Sequence, residues 1–583
     1  MKPTATAHLP APSSLSWPTW RAGTGPVLAA CALLVAVGYL VVPPLLMLVF
    51  GAATDSPPAT EPHFTWHTLV SAYLQPVIYP ALVNSVIFAA LTATISLSIG
   101  AFVAWATERT DARLGPLVEL LAIAPILMPG VLLVTSWVML LGPKSGVINL
   151  AAQEYLGLSG PPFDIFSFPG MIWVAVLQEL PLAFLWLWPA FRAMSPDYEE
   201  AALTCGAGFA TVIRRITLPI LRPTLLSAWI IFFVYSLGAL SVPLLIGLPA
   251  GIFLYSTEIY LASSRMPTDL NLASAYSLLF LATTVFGLYA YRRATRESER
   301  FVTIRGRAFT PRQLSLGWWR HVIRLFVFSL FLLTAGLPFA VLAWNAFMPF
   351  PQAPSLASLH LFTTSNFAAA WNYGPAQRAF FNSLVLGFGA GLIATMIGAL
   401  VAWCTLRLKS APRLVALMDQ VATAPIAIPG MIVGVSLLWF YLEIPIPIYG
   451  TPWILLIAYV TLHLPFAVRI CSSGLSQIHA ELEEAARVSG ASTFVTFRRV
   501  IILLVFPSLL ASALYVALRS FREYAASIFL ASPGTEVFAV LVLDMTQSGN
   551  SNILAAYTTS VIVVLAVAVV AFNWLGSRVG IRA

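Results

Sequence analysis

Ser195-Pro196-Asp197-Tyr198-Glu199-Glu200-Ala201-Ala202-Leu203-Thr204-Cys205-Gly206-Ala207, running on to Arg214-Arg215 and Leu218-Pro219, is a polar island in a very apolar chain, and it occurs twice. The second copy reads Glu481-Leu482-Glu483-Glu484-Ala485-Ala486-Arg487-Val488-Ser489-Gly490-Ala491, with Arg498-Arg499 beyond it. Glu200 and Glu484, Gly206 and Gly490, and Pro223 and Pro507 each stand 284 residues apart. The pattern predicts a helix, a turn and a second helix. Ser195 suits an N-cap and Pro196 the first helical position. Asp197, Glu199 and Glu200 fall in the first turns, where the helix dipole favours negative charge. Gly206 and Gly490 lack a Cβ and so permit a tight turn. A solvated spacer between two helices has no need to keep glutamate, two alanines and a glycine at one spacing twice.

Glu-Ala-Ala followed by glycine, in both copies, resembles the EAA loop of permease subunits of binding-protein-dependent ABC importers. In that family the loop is a coupling helix that docks into a groove on a cytoplasmic ATPase. The resemblance implies ATPase-coupling roles for Glu199, Glu200, Ala201 and Gly206, and for Glu483, Glu484, Ala485 and Gly490. It implies as partners a homodimeric ABC ATPase, with ATP and magnesium bound there and no cofactor in this chain, and a periplasmic or lipid-anchored substrate-binding protein. Leu503 stands where Pro219 stands in the first copy, which leaves the shape of the second exit open.

The chain has 583 residues, 59% hydrophobic and only 9% charged. That composition excludes an ordinary soluble protein. Several apolar runs exceed the roughly 20 residues that span a bilayer. The expectation is an all-α integral membrane protein of about 12 transmembrane helices, as two parallel repeats of about six. Spans are expected near 27–50, 83–107, 115–142, 168–192, 223–248 and 271–291, then near 322–348, 380–405, 412–440, 452–475, 507–530 and 553–576. This divides the chain into an N-terminal tail (1–26), a first permease half (27–291), an arginine-rich linker (292–321) and a second half (322–583).

Basic residues fix the expected orientation. Arg109 and Arg113, Arg214 and Arg215, Arg407 and Arg413, and Arg498 and Arg499 fall on one side of this topology, whereas residues 51–82 hold no Lys or Arg. The positive-inside rule then puts both termini, the linker and both polar turns in the cytoplasm, and the resemblance implies a bacterial inner membrane. Net charge +8 is explained by this placement and by anionic lipid, not by nucleic acid. Cys31, Cys205, Cys404 and Cys471 show no metal spacing and are expected as free thiols; no metal site is expected. The first apolar run is too long for a signal-peptide core and is expected to be a retained span.

Other features repeat. Asn84-Ser85 and Asn382-Ser383 open spans that Ala104-Trp105 and Ala402-Trp403 close, each pair 298 apart. Ala124-Pro125 to Met128-Pro129-Gly130 and Ala424-Pro425 to Ile428-Pro429-Gly430 are 300 apart. Prolines and glycine break the hydrogen-bond ladder in mid-span. Such breaks are tolerated only inside protein or beside a water-filled cavity, which allows a bent helix next to a pore or a packing kink. The fall from 300 to 284 reflects an extra stretch at 142–167 in the first half, expected as an outer loop.

Ionisable residues inside spans are functional candidates because they are expensive there. Glu179, matched by His463, is one. Arg519, Arg522 and Glu523, matched by Tyr235, Gly238 and Ala239, are the others, and their spacing predicts one helical face. They read either as a polar wall or gate of the pathway or as a buried pair holding helices in register. Glu119 and Asp419 match near the same ends of their spans.

The run Ser520-Phe521-Arg522-Glu523-Tyr524-Ala525-Ala526-Ser527-Ile528-Phe529-Leu530 with Ser532-Pro533-Gly534-Thr535, and Val242-Pro243-Leu244-Leu245-Ile246-Gly247 with Ser256-Thr257-Glu258, is similar to the iron(III) permeases of this superfamily. That resemblance implies ferric iron as cargo; single permeases for polyamines and aminoethylphosphonate share much of the pattern, and fusion of two copies in one chain is also familiar among thiamine importers. No Gly-Lys dipeptide occurs, so no Gly-x-x-x-x-Gly-Lys-Ser/Thr phosphate loop exists here and the chain is expected to be a translocation subunit, not an enzyme. The rival from another class is an ion-gradient-driven 6+6 secondary transporter, which explains the repeat but not the duplicated turns.

Overall fold

The computed structural model describes residues 24–123, 128–195, 197–295 and 315–578. Most of the expected tail (1–26), the stretch Ala124–Leu127, Pro196, most of the linker and the side chain of Glu484 lie outside the described residues. The described chain is helical, with one isolated bridge between Thr54 and Phe64. The principal helices of the first half are α1 (Thr24–Ala52), α2 (Ile78–Arg109), α3 (Gly115–Ile123), α4 (Gly130–Leu141), α5 (Val147–Leu156), α6 (Phe168–Ala193), α7 (Asp197–Thr204), α8 (Leu218–Leu237), α9 (Tyr255–Ser264) and α10 (Leu270–Thr295). Those of the second are α11 (Trp319–Phe331), α12 (Leu337–Phe347), α13 (Gly374–Arg407), α14 (Pro412–Thr423), α15 (Gly430–Glu443), α16 (Pro452–Ser476), α17 (Ala480–Val488), α18 (Ile502–Phe521), α19 (Phe538–Gln547) and α20 (Ser551–Arg578).

Among the described residues nine helices are long and apolar enough to cross a membrane. The bent pair Pro412–Ile426 and Gly430–Glu443, inclined at 108°, makes a tenth if taken as one span. The twelve expected from the sequence are therefore not all reached. The bend falls where Pro425 and Pro429 remove backbone donors. Two spans also lie earlier than expected. The span expected near 223–248 is Ala210–Leu237 and that near 507–530 is Arg498–Phe521. In both, the chain leaves the polar turn through a π-helical turn, Ile213–Thr217 or Phe497–Ile501, and runs straight into the long helix. The exit has one form with Pro219 or Leu503, so the proline does not set it.

α2 and α13 hold the halves together. They have 32 and 34 residues, about 50 Å at 1.5 Å per residue, so their ends project beyond a hydrocarbon core of about 30 Å. Each crosses its neighbour at a glycine. A Cβ on Gly100 would stand 2.9 Å from the Ala183 carbonyl carbon, and one on Gly398 2.9 Å from that of Ala467. Close backbone contact through small residues is how helices pack without a hydrophobic drive between them. The matched Asn-Ser pairs are pins. Asn84 Nδ2 donates to the Phe253 carbonyl (3.1 Å) and Ser85 Oγ accepts from the Tyr255 N–H (2.8 Å), which satisfies a donor at the start of α9. Asn382 does the same to the Glu536 carbonyl (2.9 Å) and Ser383 to the Phe538 N–H (2.7 Å) at the start of α19.

The first helix of each half packs on the other half. Ala30 and Val37 of α1 bury against Val401, Cys404, Leu408 and Met418. Further along, Tyr39 meets the Tyr441 hydroxyl (3.4 Å). Ile323, Val327 and Leu330 of α11 join the first-half core around Phe184 and Leu187, and Arg324 Nε donates to the Ala112 carbonyl (2.6 Å). α1 and α10 run antiparallel, Asn271 binding the Gly51 and Thr54 carbonyls. Tyr73 and Gln75, ahead of α2, bond Ala275 and Tyr276 of α10, and Arg324 of α11 bonds Ala112 past the end of α2, so the start of α1, the end of α2 and the start of α11 share a face. The ends of α2 and α13, and the polar turns tied to them, emerge on that face.

Candidate functional site

Two sites follow from this frame: the pair of polar turns and the seam between the halves. In the first turn α7 opens with Ser195 Oγ accepting from the Asp197 N–H at 3.3 Å. It closes with the Ala207 N–H on the Ala202 carbonyl (3.0 Å) while Gly206 sits at φ +83°. α17 closes alike, the Ala491 N–H on the Ala486 carbonyl (3.1 Å) and Gly490 at φ +85°. Both glycines have open space around a Cβ, so left-handed backbone and not crowding calls for glycine. No residue of α7 is buried, and the turns present Tyr198, Leu203, Leu482 and Val488 outward with Glu200, Ala201 and Ala485.

Glu199 and Glu483 do not share that surface. Glu199 Oε2 pairs with Arg109 Nε at 3.1 Å, the side chains 13% and 5% exposed, and its other oxygen accepts from Thr217 Oγ1 at 2.5 Å. Glu483 pairs with Arg407 Nε at 2.6 Å. The arginines also hold the chain ahead of each turn, Arg109 on the Phe191 (3.2 Å) and Met194 (2.7 Å) carbonyls and Arg407 on that of Ile478 (2.9 Å). Each turn is thereby stapled to the long helix of its half. The sequence reading used Arg109 and Arg407 only for orientation; their shared 298-residue spacing beside the 284-residue spacing of the glutamates was the signal for the pairing. Glu119 and Asp419 are not paired alike: Asp419 approaches the exposed Arg469 at 3.7 Å, a contact worth about 0–1 kcal/mol.

The seam corrects the expectation of one helical face. α18 ends at Phe521, Arg522 caps it, and Glu523 lies beyond it, its Oε1 taking the Ala526 N–H at 3.1 Å. Arg519 alone remains in the helix. Its guanidinium lies 5.7 Å over the Phe466 ring, beside Tyr235 of the other half. Tyr235 is the counterpart of Arg519, 284 residues earlier. Equivalent residues meet only at a two-fold axis. The next contacts agree: a Cβ on Gly238 would stand 3.2 Å from Pro429 Cβ, and Arg522, counterpart of Gly238, donates to the carbonyl of Met128, beside the Pro129 counterpart, at 2.9 Å. The axis therefore passes between the ends of α8 and α18, beside the Pro-Gly breaks. Tyr235 (44%), Tyr515 (38%) and, in part, Arg519 remain accessible there.

Glu179 and His463 flank the axis without equivalence. Glu179, 3% exposed, accepts from Ser236 Oγ at 2.5 Å and Ser96 Oγ at 3.5 Å. His463, 4% exposed, has neither ring nitrogen hydrogen-bonded.

The profile of the family described as "Binding-protein-dependent transport system inner membrane component" matches residues 96–296 and again 314–581. The chain is similar to the ferric transport system permease protein FbpB of Actinobacillus pleuropneumoniae, 23% identical over 508 residues, 84% of this chain and 70% of that one. It is similar to the putative ferric transport system permease protein FbpB 1 of Haemophilus influenzae, 23% identical over 515 residues, 88% of this chain and 78% of that one. The putative 2-aminoethylphosphonate transport system permease protein PhnV of Salmonella typhimurium is 28% identical over 259 residues, 43% of this chain and 92% of that one.

Proposed function

The chain belongs to the family of binding-protein-dependent transport system inner membrane components, and we propose that it is the whole membrane pore of an ATP-driven importer, both permease halves in one polypeptide, with ferric iron as cargo. The observation that carries this is the pair of exposed helices α7 and α17, stapled alike and opening on one face. They are the handles a two-fold symmetric motor needs. In this reading a homodimeric ABC ATPase, carrying ATP and magnesium, grips Glu200, Ala201, Gly206, Glu484, Ala485 and Gly490 in the cytoplasm. Glu199 and Glu483 pass the motion on through Arg109 and Arg407 to α2 and α13. Both termini then lie in the cytoplasm, and a periplasmic or lipid-anchored binding protein delivers cargo to the far face.

Iron is supported by the two ferric permeases that resemble most of the chain. A phosphonate cargo is the second reading, supported by the resemblance of one half to PhnV. An ion-gradient-driven transporter has no use for the stapled turns. The test is purification of the chain together with the ATPase encoded beside it. Recovery of the ATPase, with Cys205 shielded from a water-soluble maleimide in the complex and open without it, supports the reading. Cargo uptake that continues without ATP and collapses with the proton gradient overturns it.

A further inference from the structure

The two halves carry the same position beside the axis in two chemical forms. In the first half it is closed: the Glu179 carboxylate accepts from Ser236 and Ser96, and every group has a partner. In the second half the counterparts are His463, Ser520 and Ala394. Alanine at 394 removes one hydroxyl, and histidine replaces the carboxylate that the serines served. The result is a set of polar groups without partners. Both ring nitrogens of His463, the Ser520 hydroxyl and the Arg519 Nε have no hydrogen-bond partner, although His463 and Ser520 are 4% and 1% exposed. Leaving buried polar groups unpaired is costly, and native proteins seldom do so without a reason. The neighbouring carboxylate does not fill the gap, because Glu523 is turned to the Ala525 and Ala526 backbone.

We propose that His463, Ser520 and Arg519 form an oxyanion-binding site on the pore axis, and that the cargo passes as an oxyanion-bearing species, either a phosphonate or a ferric ion still carrying carboxylate or phosphate ligands. This deepens the importer reading and rests on it. The chemistry is specific in sign. Arg519 is a fixed cation at the point where Tyr235 of the other half leaves accessible space, and a guanidinium offers planar N–H donors suited to carboxylate and phosphate oxygens. A bare trivalent cation would be repelled there. The oxygen ligands of a chelated one would be received by Arg519, the His463 N–H and the Ser520 hydroxyl.

The experiment is calorimetric titration of the full chain with its ATPase in lipid nanodiscs. The probes are ferric citrate, 2-aminoethylphosphonate and hexaamminecobalt(III), a trivalent cation without anionic ligands. Wild type should bind ferric citrate or 2-aminoethylphosphonate, which identifies the cargo, and ignore the cobalt complex. Arg519→Gln and His463→Leu should each weaken binding about tenfold or more, the scale of one charge-assisted hydrogen bond. Arg519→Lys, which keeps the charge but not the planar fork, should weaken binding less than Arg519→Gln does, and co-purified ATPase reports that the variants are assembled. Binding of neither oxyanion, equal binding of the cobalt complex, or equal loss in Lys and Gln variants would overturn the site. ATP-dependent uptake by wild-type cells separates the two claims: if it persists, only the oxyanion site falls; if it is absent, the importer reading falls with it.

Discussion

Glu199→Ala should free the first polar turn from the membrane bundle. The carboxylate makes a 3.1 Å ion pair to Arg109, a residue 4% exposed, and takes a hydrogen bond from Thr217. Breaking a buried pair from one side costs about 3–5 kcal/mol, because it strands a charge. Arg109 keeps the Phe191 and Met194 carbonyls, so the lower end, about 3 kcal/mol, is the better figure. If that free energy holds the turn down, local opening becomes about 100-fold more frequent, each 1.4 kcal/mol being tenfold. Hydrogen exchange of residues 197–217, read by mass spectrometry on the purified protein, measures it directly, since exchange follows local opening. Arg109→Ala should cost about as much, but the double variant should fall about 2 kcal/mol short of the sum, because neither charge is then stranded. The second turn, stapled by Arg407 and Glu483, is the internal control and should exchange at its wild-type rate. Unchanged exchange in Glu199→Ala, or strict additivity in the double variant, would refute the staple.

Gly206→Ala and Gly490→Ala should each destabilise their turn by about 1–2 kcal/mol, the cost of an L-residue in left-handed backbone, with no steric term because space is open there. Proline at either position, with φ fixed near −65°, should abolish capture of the ATPase. A pull-down that retains the ATPase in the double proline variant would contradict the assignment of these turns. Cutting the chain within 296–314 should leave the two pieces assembled, since α1 packs on the second half and α11 on the first, whereas either piece expressed alone should aggregate. A monodisperse single half in size-exclusion chromatography would contradict the swap.

Repetition made most of the frame legible. One residue pair at one spacing says little, but Asn84-Ser85 and Asn382-Ser383 at 298, or the turn glycines at 284, mark the same local structure built twice. The pins and the left-handed glycines bear this out. What repetition could not show is contact between the copies. Nothing in the apolar face of α1 says that it packs on the other half, because lipid and protein ask for the same residues. Hydropathy also missed the end of α18: the run from Phe521 to Leu530 stays apolar enough to pass for a continuing span, and only Gly238 in the first half hinted that the helix stops there. The three charges at 519, 522 and 523 were therefore given one helical face that the chain does not supply.

The meeting of Arg519 with Tyr235 depends on the two halves being one chain. In a pore made of two identical subunits, the residue on the axis faces itself. Two tyrosines there would carry no charge. Two guanidinium groups would repel each other in a low-dielectric interior, where like charges a few ångströms apart cost several kcal/mol even at an effective dielectric of about 20. Fusion lets the copies diverge, so that one cation stands on the axis with a phenol and an aromatic ring for neighbours. The same freedom lets His463 stand opposite Glu179 and opens on one side a network that the other side closes. The turn glycines and their staples keep the two-fold symmetry, as the proposed docking of a symmetric motor requires. The groups on the axis do not, as the proposed passage of an asymmetric cargo allows, and under the proposed function this division of kept and broken symmetry within one sequence joins the turns to the axis as two ends of one transport device.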